Sequence, residues 1–178
     1  MELELIQQFR ANYKPTALKR PRLVRSNVVY DPSKKDKKEW LQTVLQYVPK
    51  QAYKGPLMIN LEFYFKRPKN HYRSGKYCDQ LKPSAPMIHT FMPDIDNLSK
   101  FILDAMNAHF FEDDRQVVEL NSHKEYINDY HNNVGYTIVT IYRYKQKSNH
   151  FTNHTSNSTV NSITDTSNDS IIDKLINN

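Results

Sequence analysis

Pro93-Asp94-Ile95-Asp96-Asn97-Leu98-Ser99-Lys100-Phe101-Ile102-Leu103-Asp104-Ala105-Met106-Asn107 decides the architecture of this chain. At about 100° per residue, Leu98, Phe101, Ile102, Ala105 and Met106 share one wide face, with Asn97, Lys100, Asp104 and Asn107 opposite. The spacing predicts a helix from about Asp96 to Ala108. Leu103 widens the apolar arc beyond what one sheet face usually covers, so either a second surface buries it or it stays partly exposed.

Strands flank this helix. Leu57, Ile59, Leu61, Phe63 and Phe65 alternate with Met58, Asn60, Glu62 and Tyr64, the pattern of a strand with one buried face. A second strand starts near Gln116-Val117-Val118-Glu119-Leu120, just past Asp113-Asp114. Tyr136, Ile138, Thr140, Tyr142 and Tyr144 alternate through the last one. Upstream, Ser33 and Asp36 stand in capping-box positions before Trp40, Leu41, Val44, Leu45 and Val48, which predicts a helix to about Val48. The order is strand, helix, strand, helix, strand, strand, with the basic segment 12–30 supplying the first extended piece. The expectation is a small α/β (α+β) single domain with a mixed sheet and two main helices over residues 1–148. From Asn149 onward, 17 of 30 residues are Asn, Ser or Thr, so 149–178 reads as a disordered tail.

Charge narrows the partner. The chain carries +6, but the tail holds three aspartates against Lys174, so the first 148 residues carry +8. Such an excess favours a polyanion. Residues 66–92 form a long basic connection in which Lys66, Arg67, Lys69, Arg73, Lys76 and Lys82 interleave with His71, Tyr72 and Tyr77. It reads either as a nucleic-acid-binding loop, with bases stacking on Tyr and phosphates on Arg and Lys, or as a solvated flap. Cys78 is the single cysteine, so no disulfide or cysteine-based zinc site forms within the chain, and a reducing, intracellular setting is the simple expectation. The acidic start Met1-Glu2-Leu3-Glu4-Leu5 is not a signal peptide, and no apolar run approaches the roughly 20 residues of a membrane span.

Against this basic background the acidic residues stand out. Asp94 and Asp96 precede the helix, and in an extended approach residues two apart point the same way. They are either a helix cap and a dipole partner, or two oxygen ligands for a hard cation such as Mg²⁺, with Mn²⁺ as the alternative. If the strand after Asp114 lies beside the one that led in, Asp114 approaches them as a third ligand. An EF-hand is excluded, because Asp94-Ile95-Asp96-Asn97-Leu98-Ser99 lacks the ligand at its fifth position and the glycine at its sixth. Lys100 follows Asp96 by one turn, either as an i,i+4 partner or as a cation facing a phosphate.

The run 93–107, followed by Phe111-Glu112-Asp113-Asp114-Arg115-Gln116-Val117, resembles the RusA family of Holliday junction resolvases. That family shows Asp-x-Asp-Asn-Leu-x-Lys, then Asp-Ala-Leu, then Asp-Asp-x-Gln-Val, and here Met106 replaces the common Leu. Lys19-Arg20-Pro21-Arg22, Val29-Tyr30, Pro83-Ser84-Ala85-Pro86 and His89-Thr90 extend the likeness across about 13–145. The resemblance implies metal-binding Asp94, Asp96 and Asp114, an active-site Lys100, Mg²⁺ as cofactor, a homodimer, and a four-way DNA junction as substrate. Arg20, Arg22, Lys66, Arg67 and Arg73 are the expected DNA-backbone contacts. The alternatives are a non-catalytic branched-DNA-binding module and a metal nuclease acting on other DNA structures. A sugar transferase is disfavoured, since the 3 glycines look like turn residues. Few glycines and an Asn-rich tail suit an AT-rich viral or phage genome.

Overall fold

The alternation of residues 57–65 is realised as the central strand of a four-stranded mixed sheet. The computed structural model describes residues 2–23, 29–128, 130 and 134–145. Its elements are β1 (Glu2–Ala11), β2 (Arg22–Leu23), β3 (Val29–Tyr30), α1 (Lys34–Val44), β4 (Leu57–Phe65), α2 (Ile95–Met106), β5 (Val117–Tyr126) and β6 (Tyr136–Lys145). The sheet order is β1-β6-β4-β5. β4 pairs antiparallel with β6 and parallel with β5, and β1 pairs antiparallel with β6. Parallel neighbours need a crossover, and residues 66–116 with α2 provide it.

One sheet face is the core. Leu57, Ile59, Leu61 and Phe63 of β4, with Val139 and Ile141 of β6, are buried against Trp40 and Val44 of α1 and Leu98, Phe101, Ile102 and Met106 of α2. The apolar face of α2 is therefore the one the helical wheel selects. The opposite sheet face is polar and aromatic, with Tyr64 stacked on Tyr136 at 4.5 Å and the Arg10 guanidinium 3.6 Å from the Tyr136 ring centre.

Two local expectations change. The first sheet strand is the N-terminal β1, not the basic segment, whose described residues contribute the short ribbon of β2 and β3. A shift in pairing register between Leu5 and Gln7 breaks the period of β1, and its partner lies more than 120 residues away. Ser33 occupies the N-cap position of α1 without capping it. Its Oγ instead accepts the backbone N–H of Lys19 at 2.8 Å, while Asp36 pairs with Lys19 Nζ at 2.8 Å. Both side chains thus fasten the basic segment to α1. The α-helix ends at Val44 and continues as one 3₁₀ turn, Leu45–Tyr47.

The connection 66–92 is folded back on itself. Arg73 N–H donates to Gln80 O and Lys82 N–H to His71 O, each at 2.9 Å, and Tyr72 is buried. The tail 149–178, with 146–148, lies outside the described residues. Among the described residues no helix is long and apolar enough to cross a membrane.

Candidate active site at the carboxyl ends of two parallel strands

The crossover from β4 to β5 puts the start of α2 at the carboxyl ends of both strands, where open α/β sheets commonly bind ligands. Lys124 of β5 holds the approach. Its Nζ donates to the carbonyls of Phe91 at 2.9 Å and Pro93 at 2.8 Å. Ser99 of α2 donates to Ile95 O and meets Ser122 Oγ of β5, each at 2.8 Å. Leu18 N–H reaches Asn97 O at 2.9 Å, so the N-terminal segment also braces this end of the helix.

An open cavity of about 420 Å³ results, lined by Ile88, His89, Asp94, Ile95, Asp96, Ser122, His123 and Lys124. Asp94 stands at the N-cap of α2 in extended conformation (φ −69°, ψ 145°), yet its carboxylate caps no helix N–H. Asp96 is exposed and, among the described residues, pairs with Lys100 Nζ at 3.9 Å, also exposed, a pair of small energetic weight. Two carboxylates thus border one cavity with little neutralisation, an arrangement suited to a cation. His89, another lining residue, is stacked 3.9 Å from Phe65 and 7% exposed. Burial, then the charge of Lys124, holds its pKa below the ordinary histidine value. His123 at the rim faces Glu125 at 3.6 Å.

Asp114 lies at the other end of α2. Its 12 residues span about 18 Å at 1.5 Å per residue. Asp114 opens the 3₁₀ turn Asp114–Gln116 that leads into the amino end of β5, whereas the acidic cavity borders Ser122–Lys124 further along that strand. Gln116 ties this turn to the Tyr53 and Gly55 carbonyls at 3.0 and 3.1 Å. The expectation that Asp114 approaches Asp94 and Asp96 within one chain is therefore corrected. In a strand–helix–strand crossover the residue before the helix and the residue before the second strand occupy opposite ends of the sheet. Accordingly, among the described residues no three carboxylate, imidazole or thiolate groups gather closely enough to hold a metal ion. Asp113 is the cap of this turn, accepting from Arg115 N–H at 2.9 Å and Arg115 Nε at 2.8 Å.

The expected DNA contacts divide. Arg20, Lys66 and Arg73 are exposed. The Arg22 backbone lies in β2, and its side chain is outside the described residues. Arg67 is buried. Its Nε donates to Ile127 O at 2.8 Å, one terminal nitrogen to Pro86 O at 2.6 Å and the other to Asn128 Oδ1 at 2.7 Å. With all three nitrogens engaged inside the protein, Arg67 braces the 66–92 connection and is removed from the DNA set. The positioning role of Lys124 escaped the sequence reading. The available signal was its place in the alternation of β5, where it pairs with Phe63, a residue of the buried face.

The sequence model of the family described as Endodeoxyribonuclease RusA matches residues 12–142. The chain is also 33% identical over 118 residues to the uncharacterized protein YqaN of Bacillus subtilis (strain 168), covering 64% of this chain and 82% of that one. The family match over residues 12–142 takes in the acidic helix start, its lysine and the turn at Asp113-Asp114 together. The chain therefore belongs to the RusA endodeoxyribonuclease family, nucleases that act on branched DNA junctions.

Proposed function

We propose that this protein is a divalent-metal-dependent nuclease that resolves four-way DNA junctions by paired nicks, working as a two-fold homodimer. The observation that carries the reading is the pair Asp94 and Asp96 on one open cavity, uncapped and weakly paired, in a chain of this family. At this cavity one chain supplies two of the three carboxylates, Asp94 and Asp96, so a single copy does not complete the set. Two copies would. β5 lies at the edge of the sheet; residues 87–89 pair with its carboxyl end, but Val118 and Leu120 nearer its amino end are 62% and 39% exposed, apolar surface suited to a second copy. A two-fold axis near Leu120 would lay the amino end of one β5 against the carboxyl end of the other. Asp114 of one copy would then face Asp94 and Asp96 of the other.

In this dimer Asp94 and Asp96, with Asp114 from the second copy, would hold Mg²⁺ or Mn²⁺. Such an ion, when bound, lowers the pKa of a water and stabilises charge developing on phosphate oxygens. Lys100, exposed one turn into α2, would steady the scissile phosphate. Lys124 fixes the backbone that presents both aspartates, so their spacing is set before DNA arrives. Arg20, Arg22, Lys66 and Arg73 would hold the DNA backbone. Two sites related by the dimer axis would cut a junction that is itself nearly two-fold.

The test uses a labelled immobile four-way junction with and without Mg²⁺. Asp96→Asn is expected to abolish nicking while junction binding is kept or tightened, because a carboxylate facing phosphate is gone. Normal nicking by that variant rejects the site. Mixing Asp96→Asn with Asp114→Asn tests the shared site, since each mixed dimer regains one intact ligand set. Nicking restored on mixing supports completion between copies, and none on mixing rejects it.

A further inference from the structure

Resting on that reading, we infer that Phe91 and Met92 form a wedge that inserts against an unstacked base at the branch point, setting where the cut falls. Phe91 is 66% and Met92 74% exposed, and Met87, Ile88 and Ile95 beside them are also open. Five exposed apolar side chains thus fall within residues 87–95, and such patches generally mark contact sites. The patch adjoins the acidic cavity, because Ile88 and Ile95 line that cavity together with Asp94 and Asp96.

The segment is held so as to present its side chains. Lys124 binds the carbonyls of Phe91 and Pro93 on either side of Met92, and the Phe91 ring meets His89 edge-on at 6.4 Å. Its backbone is tethered to β5 while its side chains project into solvent. Phe91 precedes Asp94 by three residues, which limits their separation to about 10 Å along the chain. With nucleotides about 3.4 Å apart along a strand, Phe91 stands within about three bases of a phosphate bound at the aspartates. Phe and Met are among the apolar residues that proteins drive between base steps, and aromatic rings stack on bases irrespective of sequence. A branch point is where such entry is least costly, because stacking is already interrupted there. The occupant is therefore a DNA base.

The test places 2-aminopurine next to the branch of a four-way junction and adds full-length protein in EDTA, so that binding is read without cleavage. Native protein should raise the fluorescence several-fold. At saturating protein, Phe91→Ala/Met92→Ala should lose most of that rise, and Phe91→Trp should keep it. In Mg²⁺ the double variant should cut an intact junction more slowly and at scattered positions, and recover on a junction with unpaired bases at the branch. A full fluorescence rise with the double variant overturns the wedge. So does a double variant that sediments as a monomer where native protein is a dimer, since a second copy then covers the patch. Native protein that neither binds nor cuts four-way junctions overturns the function itself, and the wedge falls with it.

Discussion

Arg67→Met separates a structural arginine from a DNA-binding one. The guanidinium gives three short hydrogen bonds, to Ile127 O, Pro86 O and Asn128 Oδ1, from a residue only 4% exposed. Hydrogen bonds from a charged donor contribute about 1.5–3 kcal/mol each, so the gross loss is about 4.5–9 kcal/mol. Returning the charge to water and refilling the space with a thioether offsets part of that. Breaking buried ionic hydrogen bonding from one side typically costs a net of about 3–5 kcal/mol. For a domain of this size each kcal/mol lowers Tm by about 2–4 °C, so a fall of about 10 °C is expected. Urea unfolding measures the loss, and junction binding titrated against salt at low temperature measures DNA contact in the folded protein. Arg67→Met should lower the urea midpoint strongly and leave the salt slope unchanged. A phosphate-contacting Arg67 would instead reduce the slope by about 0.9 and leave stability within about 0.5 kcal/mol. That opposite result refutes the strut. Arg73→Ala, at an exposed position of the same connection, is the control expected to reduce the slope and spare stability.

Two further outcomes follow from the site. Lys124→Met should lower kcat by about 10- to 100-fold, the usual scale for groups that orient ligands, with junction affinity and salt slope nearly native and partial recovery in Lys124→Arg. An equal loss of affinity with a reduced slope would make Lys124 a phosphate contact instead. His71 and His89 are both held below the ordinary histidine pKa, in each case chiefly by burial, aided by Arg67 and Lys82 at His71 and by Lys124 at His89. The unfolded chain then binds protons first as pH falls, so stability is full above about pH 6.5 and drops below it. Urea midpoints between pH 7.5 and 5.5 should show this slope, flattened in His71→Phe/His89→Phe. An unchanged slope in that variant would place the titrating groups elsewhere.

Much of the architecture was legible in local pattern. Alternation marked β4 and β6, and the helical wheel selected the face of α2 that the core buries, because burial acts on each element with its own period. The family was legible for the same reason. Asp94, Asp96, Lys100 and the turn at Asp113-Asp114 lie within about 20 residues, so their spacing survives in one dimension. β1 was not, because its pairing with β6 joins the two ends of the described chain and its period is interrupted between Leu5 and Gln7. The fate of the basic residues was not either. Arg67 and Arg73 look alike in the sequence, and only the return of the connection past Ile127 and Asn128 buries one and leaves the other in water. The separation of the aspartates is the deepest case. The sequence by itself determined which acidic residues stand at the start of α2 and before β5. Only the tertiary structure, by making β4 and β5 parallel, decided that those two points lie at opposite ends of the sheet, since a parallel crossover must return to the end from which it started.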